Sequence, residues 1–219
     1  MRGAPRGRLT TNHKMPIITC MRHGATDWNA EGRMQGRRDI PLSAAGRADV
    51  ARWTLPSDLA HGADWFASPL LRAVETAEIV CGRTPRIEPA LIEMDWGAWE
   101  GARLDDLHAR LGDEFTGNAA RGLDFQPPGG ERPRDVVSRV ARWLDGIAAR
   151  ERPLVAVTHN GVLRALLVLA TDWNMLGKPP VKLLPATLHR FRLAPGPRLA
   201  IDACNVPLVP DVAPQGGGR

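Results

Sequence analysis

The chain predicts an α/β fold: a three-layer sandwich with a mostly parallel sheet, helices on both faces and an antiparallel edge hairpin. Three observations lead there. Short apolar, β-branched runs alternate with stretches of helical periodicity. Two of those runs, Pro16–Met21 and Pro153–Thr158, are closely followed by a histidine, His23 and His159. At 219 residues and 43% hydrophobic content the chain can bury a sheet between two helical layers as one domain.

The elements follow in order. A strand over about 16–21 leads into a polar loop through Pro41. Ser43 is placed to cap a helix running to about Trp53, with Gly46 inside it as a modest defect. Asp64–Ser68 forms a second short strand. Ser68-Pro69 opens a helix, with serine as N-cap and proline at the first helical position, that ends near Cys81 at Gly82. Arg86–Glu88 is a third strand. A helix over about 104–111 is followed by a glycine-rich loop from Gly112 to Gly130. The longest amphipathic helix runs from Arg134 to Arg150, with Val136, Val137, Val140, Trp143, Leu144 and Ile147 on its apolar face. Pro153–Thr158 reads as a buried strand, and Asn160–Thr171 as an apolar helix. Thr187–Leu193 and Arg198–Ala203 pair as a hairpin around Pro195-Gly196-Pro197.

Composition excludes some classes. No apolar run is long enough to span a bilayer, and the N-terminus carries no secretory pattern. Cys20, Cys81 and Cys204 form no CxxC pair, which suits reduced thiols in a cytoplasmic protein without structural zinc. The formal net charge is +5, but four of those charges (Arg2, Arg6, Arg8 and Lys14) sit in residues 1–14. That segment is expected to be a disordered basic arm, or an extension ahead of a start at Met15. Residues 15–208 form the domain, and 209–219 a flexible tail. Nucleic acid is not expected as a partner, since the rest of the chain is nearly neutral.

In a mostly parallel sheet the carboxyl ends of neighbouring strands share one side, so His23 and His159 can meet there. Arg72 lies in the first turn of a helix that starts at the same edge, and Arg22 precedes His23. Free N–H groups at Asn160 and Gly161 open the helix after His159. Two guanidinium groups, two imidazoles and main-chain donors suit a phosphoryl group. His13, His61, His108 and His189 have no ligand spacing, so no metal site is assigned. Arg132 and Arg134 read as a solvated face. Trp53, Trp143 and Trp173 read as helix-face packing.

The run Arg22-His23-Gly24-Ala25-Thr26-Asp27-Trp28-Asn29 resembles the signature of the histidine phosphatase superfamily, the phosphoglycerate mutase-like family. Further blocks are similar in the same order: Gln35-Gly36 through Ser43, Ser68–Ala77, Leu91–Gly101, Pro128–Glu131 and Val157–Arg164. Five further blocks in order are far more specific than any one tripeptide. The resemblance implies that His23 is the nucleophile and forms a phosphohistidine. It implies that Arg22, Arg72 and His159 hold the phosphoryl oxygens, that Asn29 adds a hydrogen bond, and that Glu93 is the general acid and base. Gln35, Gly36 and Asn160 are assigned to phosphate or substrate binding. Trp28, Trp96 and Trp99 are expected to shape the leaving-group pocket, and the 112–130 loop to cover it.

Both hydrolases and mutases share this family. The stretch after Glu93 lacks the longer insert and paired arginines of the mutases, so the expected reaction is metal-independent hydrolysis of a small phosphorylated substrate, without a cofactor. Phosphoglycerate mutase-type transfer is the alternative. A non-catalytic phosphate- or nucleic-acid-binding module is a weaker one. Asn160 stands where many relatives have glycine. Asparagine tolerates unusual backbone angles, so the turn need not be lost.

Overall fold

A computed structural model describes residues 16–60, 62–150, 152–193 and 199–208. The elements are β1 (Ile17–Arg22), α1 (Asp27–Ala30), α2 (Ala44–Val50), α3 (Ser57–Ala60), β2 (Asp64–Ala67), α4 (Leu71–Cys81) and β3 (Arg86–Ile87), then α5 (Leu104–Leu111), α6 (Asp113–Ala119), α7 (Pro133–Ile147), β4 (Leu154–Thr158), α8 (Asn160–Ala170), β5 (Thr187–Leu193) and β6 (Leu199–Pro207). The six strands form one sheet in the order β3-β2-β4-β1-β5-β6. The first four are parallel, and β5 and β6 add an antiparallel edge. This is the expected architecture.

Strand β4 is central, and all five of its residues are buried. Its side chains divide by the period of two. Leu154 and Ala156 join Ile18, Cys20 and Phe66 under α7 and α8, through Val140, Trp143, Leu163 and Leu166. Val155 and Val157 join Met21, Trp65 and Ala67 under α4, through Ala73 and Ala77. A smaller cluster of Trp99, Leu107 and Phe115 anchors the excursion that carries α5 and α6.

Three expectations need correction. The 112–130 stretch is not a loop: it contains α6 and a 3₁₀ turn over Gly122–Asp124. Phe115 explains it, because its ring packs on His108, Trp99 and Phe125 and so gives a polar segment one apolar anchor. The capping serine of α4 does not cap. The helix begins at Leu71, its N-cap is Leu70, and no side chain of the N-cap bonds to it. Asp39 accepts the Leu71 N–H instead (2.7 Å), reaching in from a distant loop. Strand β6 also runs past Ala203 to Pro207. It is an edge strand with an exposed or half-buried face, so its polar end carries no apolar alternation to read. The hairpin turn itself, residues 1–14 and the 209–219 tail lie outside the described residues, as do His13 and His61.

Candidate active site

Register brings the two histidines together. Arg22 of β1 pairs with Thr158 of β4, so the next residue on each strand is a histidine. The His23 N–H donates to Thr158 O (3.0 Å), and the two imidazole centroids lie 5.1 Å apart. On the other side of β4, Ala67 pairs with Val157, which places Ser68 beside His159.

His23 is 7% exposed. Its Nδ1 lies 2.7 Å from Gly24 O. A carbonyl only accepts, so Nδ1 carries the proton and Nε2 keeps its lone pair. Burial holds the imidazole well below its ordinary pKa; the Arg22 and Arg72 charges push the same way, against the Gly24 bond. The ring is therefore neutral at physiological pH. His159 is fully buried and also held well below its ordinary value, by burial first and then by His23, Arg72 and Arg22. Its Nε2 lies 2.7 Å from Ser68 Oγ, which also accepts the Leu70 N–H. Its Nδ1 is buried and has no partner among the described residues. Ser68 thus positions an imidazole where the sequence suggested a helix cap.

Arg72 is fully buried. Its two terminal nitrogens donate to Gly36 O and Arg38 O, both at 2.8 Å, and its Nε has no partner among the described residues. Carbonyls orient a guanidinium without cancelling its charge. Burial brings its pKa down to about 10, with Arg22 acting in the same direction and Glu93, Asp39 and Glu100 against. It stays a cation, held in low dielectric for want of an anion. Arg22 is similar: its Nε is buried without a partner among the described residues, and burial lowers its pKa against the pull of Glu93.

Glu93 faces this positive ground. Its Oε1 accepts the Met94 N–H (2.8 Å) and the Gly161 N–H (3.1 Å). Burial raises the carboxyl above the usual carboxylate range; the two N–H groups, Arg72 and Arg22 oppose the rise. A Cβ on Gly161 would lie 2.3 Å from Glu93 Oε1, so a side chain there would displace the carboxyl. Asn160 is simply the first helical residue of α8, so the left-handed backbone that asparagine tolerates is not called upon.

Asn29 Oδ1 accepts from Thr26 N–H and Oγ–H, both at 3.0 Å, in the capping box of α1. Its amide NH2 remains the donor. Gln35 is buried with Oε1 unpartnered among the described residues, while Gly36 is committed to Arg72 through its carbonyl. Of the three tryptophans expected at the pocket, Trp96 lines the cavity beside Glu93. Trp99 is core, stacked near Phe115 and Phe125. Trp28 does not line that cavity; Arg33 sits over its ring, 6.0 Å from the centroid. Trp173 follows α8 rather than lying on a helix face.

Two cavities adjoin the site. One of about 420 Å³ is lined by Arg22, His23 and Asn29, and one of about 300 Å³ by Glu93, Asn160 and Gly161. His23 and Glu93 thus line separate cavities.

Glu100 was not assigned a role from the sequence. Its Oε1 accepts the Arg37 N–H (2.7 Å) and its Oε2 pairs with Arg38 (3.4 Å). It packs so closely on Gly36 (φ +53°) that a Cβ there would lie 2.1 Å from Oε1. The carboxylate therefore fixes the very loop whose carbonyls hold Arg72. Glu100→Ala is expected to lower kcat of any phosphoryl chemistry at this site roughly 10- to 100-fold through misplacement of Arg72. Glu100→Gln, which still accepts the Arg37 N–H, is expected to recover most of it. Steady-state kinetics on both variants checks this; equal losses would remove the positioning role.

Phosphoryl chemistry fits a buried pair of imidazoles beside two guanidinium groups and a buried carboxyl at the carboxyl ends of the parallel strands. The profile described as "Histidine phosphatase superfamily (branch 1)" matches residues 18–204, and the chain belongs to that superfamily. A 2,3-bisphosphoglycerate-dependent phosphoglycerate mutase of Methylobacterium radiotolerans is 35% identical over 191 residues, 81% of this chain and 89% of that one. Among solved structures, TTHB049 from Thermus thermophilus is 36% identical (TM-score 0.65; 87% of this chain and 99% of that one). A mycobacterial glucosyl-3-phosphoglycerate phosphatase in complex with VO3 is 26% identical (TM-score 0.71; 87% and 99%). Phosphoryl hydrolysis or transfer is the chemistry of this group.

Proposed function

We propose that the protein hydrolyses phosphomonoesters through a phosphohistidine on His23. The observation that carries this is the fixed tautomer of His23: Nδ1–H is tied to Gly24 O, and Nε2 is free to attack. As the N–P bond forms, the bond to the leaving oxygen breaks, and Glu93 supplies the proton that oxygen needs. Arg22, Arg72, the His159 N–H and the Asn29 amide take the charge on the equatorial oxygens. Gln35 and Asn160 border the substrate. Water then attacks phosphorus, Glu93 takes its proton, and His23 is released neutral. The arginines supply the positive charge, so no metal or cofactor is invoked.

Hydrolysis is favoured over mutase transfer by the wall that faces Glu93. The 101–130 excursion contributes Ala119, Gly122 and Phe125 to that cavity, which leaves Arg164 of α8 as the single cation among the described residues of its lining. A mutase must hold a small polyanion in place while the phosphoryl group returns to it. The mutase reading rests on the 35% identical relative. Purified protein given 3-phosphoglycerate with a bisphosphoglycerate primer, and separately a panel of phosphomonoesters, decides between them. Free phosphate is expected to outrun 2-phosphoglycerate, and the panel to be hydrolysed. Faster formation of 2-phosphoglycerate would establish the mutase.

A further inference from the structure

The cavity on the Glu93 side has a composition that phosphoryl chemistry does not explain. Glu93 protonates the leaving oxygen in the reading above, so the alcohol half of the substrate must occupy this cavity. At about 300 Å³ it lies within the size range that buries whole small-molecule ligands. Met94, Trp96, Phe125, Val136 and Met175 give it an apolar wall. Trp96 and Phe125 brace each other edge to face, with centroids 5.7 Å apart. A glycerate, polar on every side, leaves such a wall unused.

Arg164 is the cation in this lining. It follows Asn160 by four residues on α8, so the two share a helix face. Its guanidinium sits over the Trp173 ring, 5.1 Å from the centroid. Among the described residues no carboxylate lies within ion-pair distance of it and no acceptor takes its N–H groups. Neighbouring arginines differ. Arg139 is engaged by Glu131 through two hydrogen bonds (3.0 and 3.2 Å), and Arg37 bonds Glu131 and pairs with Asp95. Burial lowers the Arg164 pKa against the attraction of Glu93, yet a guanidinium remains charged. A half-buried cation over an indole, with no protein acceptor on its N–H groups among the described residues and lining an apolar cavity, suits a planar anion.

We propose, on the basis of the hydrolase reading, that the substrate is a phosphomonoester whose alcohol half is larger than glycerate, presents a ring or chain to the apolar wall, and carries a carboxylate read by Arg164. Arg164 is then the specificity residue of this site: it binds the leaving group and takes no part in the transfer.

Two esters of nearly equal leaving-group acidity test this: 3-(carboxymethyl)phenyl phosphate and 3-methylphenyl phosphate. Wild-type kcat/KM is expected to favour the carboxylated ester roughly 10- to 100-fold, the range of a hydrogen-bonded charge pair. Both esters are expected to exceed 3-phosphoglycerate. In Arg164→Gln the ratio between the two esters is expected to fall close to one, and Arg164→Lys to keep part of it. Because the readout is a ratio, a general loss of activity in a variant cancels. Equal use of the two esters by the wild type, or a preference that survives in Arg164→Gln, would overturn the assignment and leave the hydrolase reading standing. No phosphate from either ester, with a folded wild-type enzyme, would overturn both.

Discussion

His23→Ala is expected to lower phosphate release from an aryl phosphate by roughly four orders of magnitude or more, since both half-reactions pass through the lost nitrogen. The fold should survive the change. The contact that seats this residue is main-chain, His23 N–H to Thr158 O, and does not need the imidazole. A thermal melt alongside the kinetics separates loss of chemistry from loss of structure. Acid-sensitive, alkali-stable labelling by a phosphorylated substrate should appear on the wild-type protein and vanish in the variant. Chelator should leave the wild-type rate unchanged. Full activity in a folded His23→Ala protein would end the proposed mechanism.

The second large effect is at Glu93. Glu93→Gln is expected to cost roughly 10²–10⁴-fold with an alkyl phosphate, whose alkoxide cannot leave without a proton. With 4-nitrophenyl phosphate the first turnover should be nearly spared, because that phenolate leaves unaided. The pH dependence follows from the direction of the shifts. The acid must be protonated, and the Glu93 pKa is raised, so wild-type activity on alkyl esters should fall as pH rises through that raised value. The nucleophile must be neutral, and the His23 pKa is depressed, so the acid limb should lie below the ordinary histidine value of 6.5. Glu93→Gln removes the alkaline limb and keeps the acid one. The amide still accepts the Met94 and Gly161 N–H groups through its oxygen, so the loop is expected to stay in place. Equal losses on alkyl and nitrophenyl esters in rapid-quench measurements would argue against Glu93 as the proton donor.

Much of this site was legible in the chain because its logic is local. A strand that ends at a histidine announces itself through β-branched periodicity followed by a turn, and β1 and β4 both do so. Arg72 was placed by its distance from the start of α4. What could not be read depends on partners far apart in sequence. The role of Ser68 is set by the pairing of β2 with β4, so its hydroxyl serves His159 and the cap falls to Asp39. Glu100 matters through a loop some sixty residues away. Helix α6 escaped notice because one buried phenylalanine in seven residues gives no periodicity. Arg164 closes the Val157–Arg164 block, but the lack of a carboxylate beside it among the described residues is a tertiary fact that the sequence does not carry.

The pairing of β1 with β4 has a wider consequence. The spacing of His23 and His159 is written into a ladder of main-chain hydrogen bonds at the centre of the sheet, and the chemistry is carried at the ends of its strands, by Arg22 and by the histidine that follows each one. The cavity wall draws on more distant segments too, the 119–136 stretch, Met175 and Arg164, beside Met94, Trp96, Asn160 and Gly161 next to the reacting groups. Selectivity is thus drawn in part from segments that do not set the reacting pair. Ala119, Gly122 and Phe125 of the 101–130 excursion line the cavity without belonging to β1 or β4. A single framework can in this way serve many phosphate esters, with each new substrate requiring a new wall and no new catalyst.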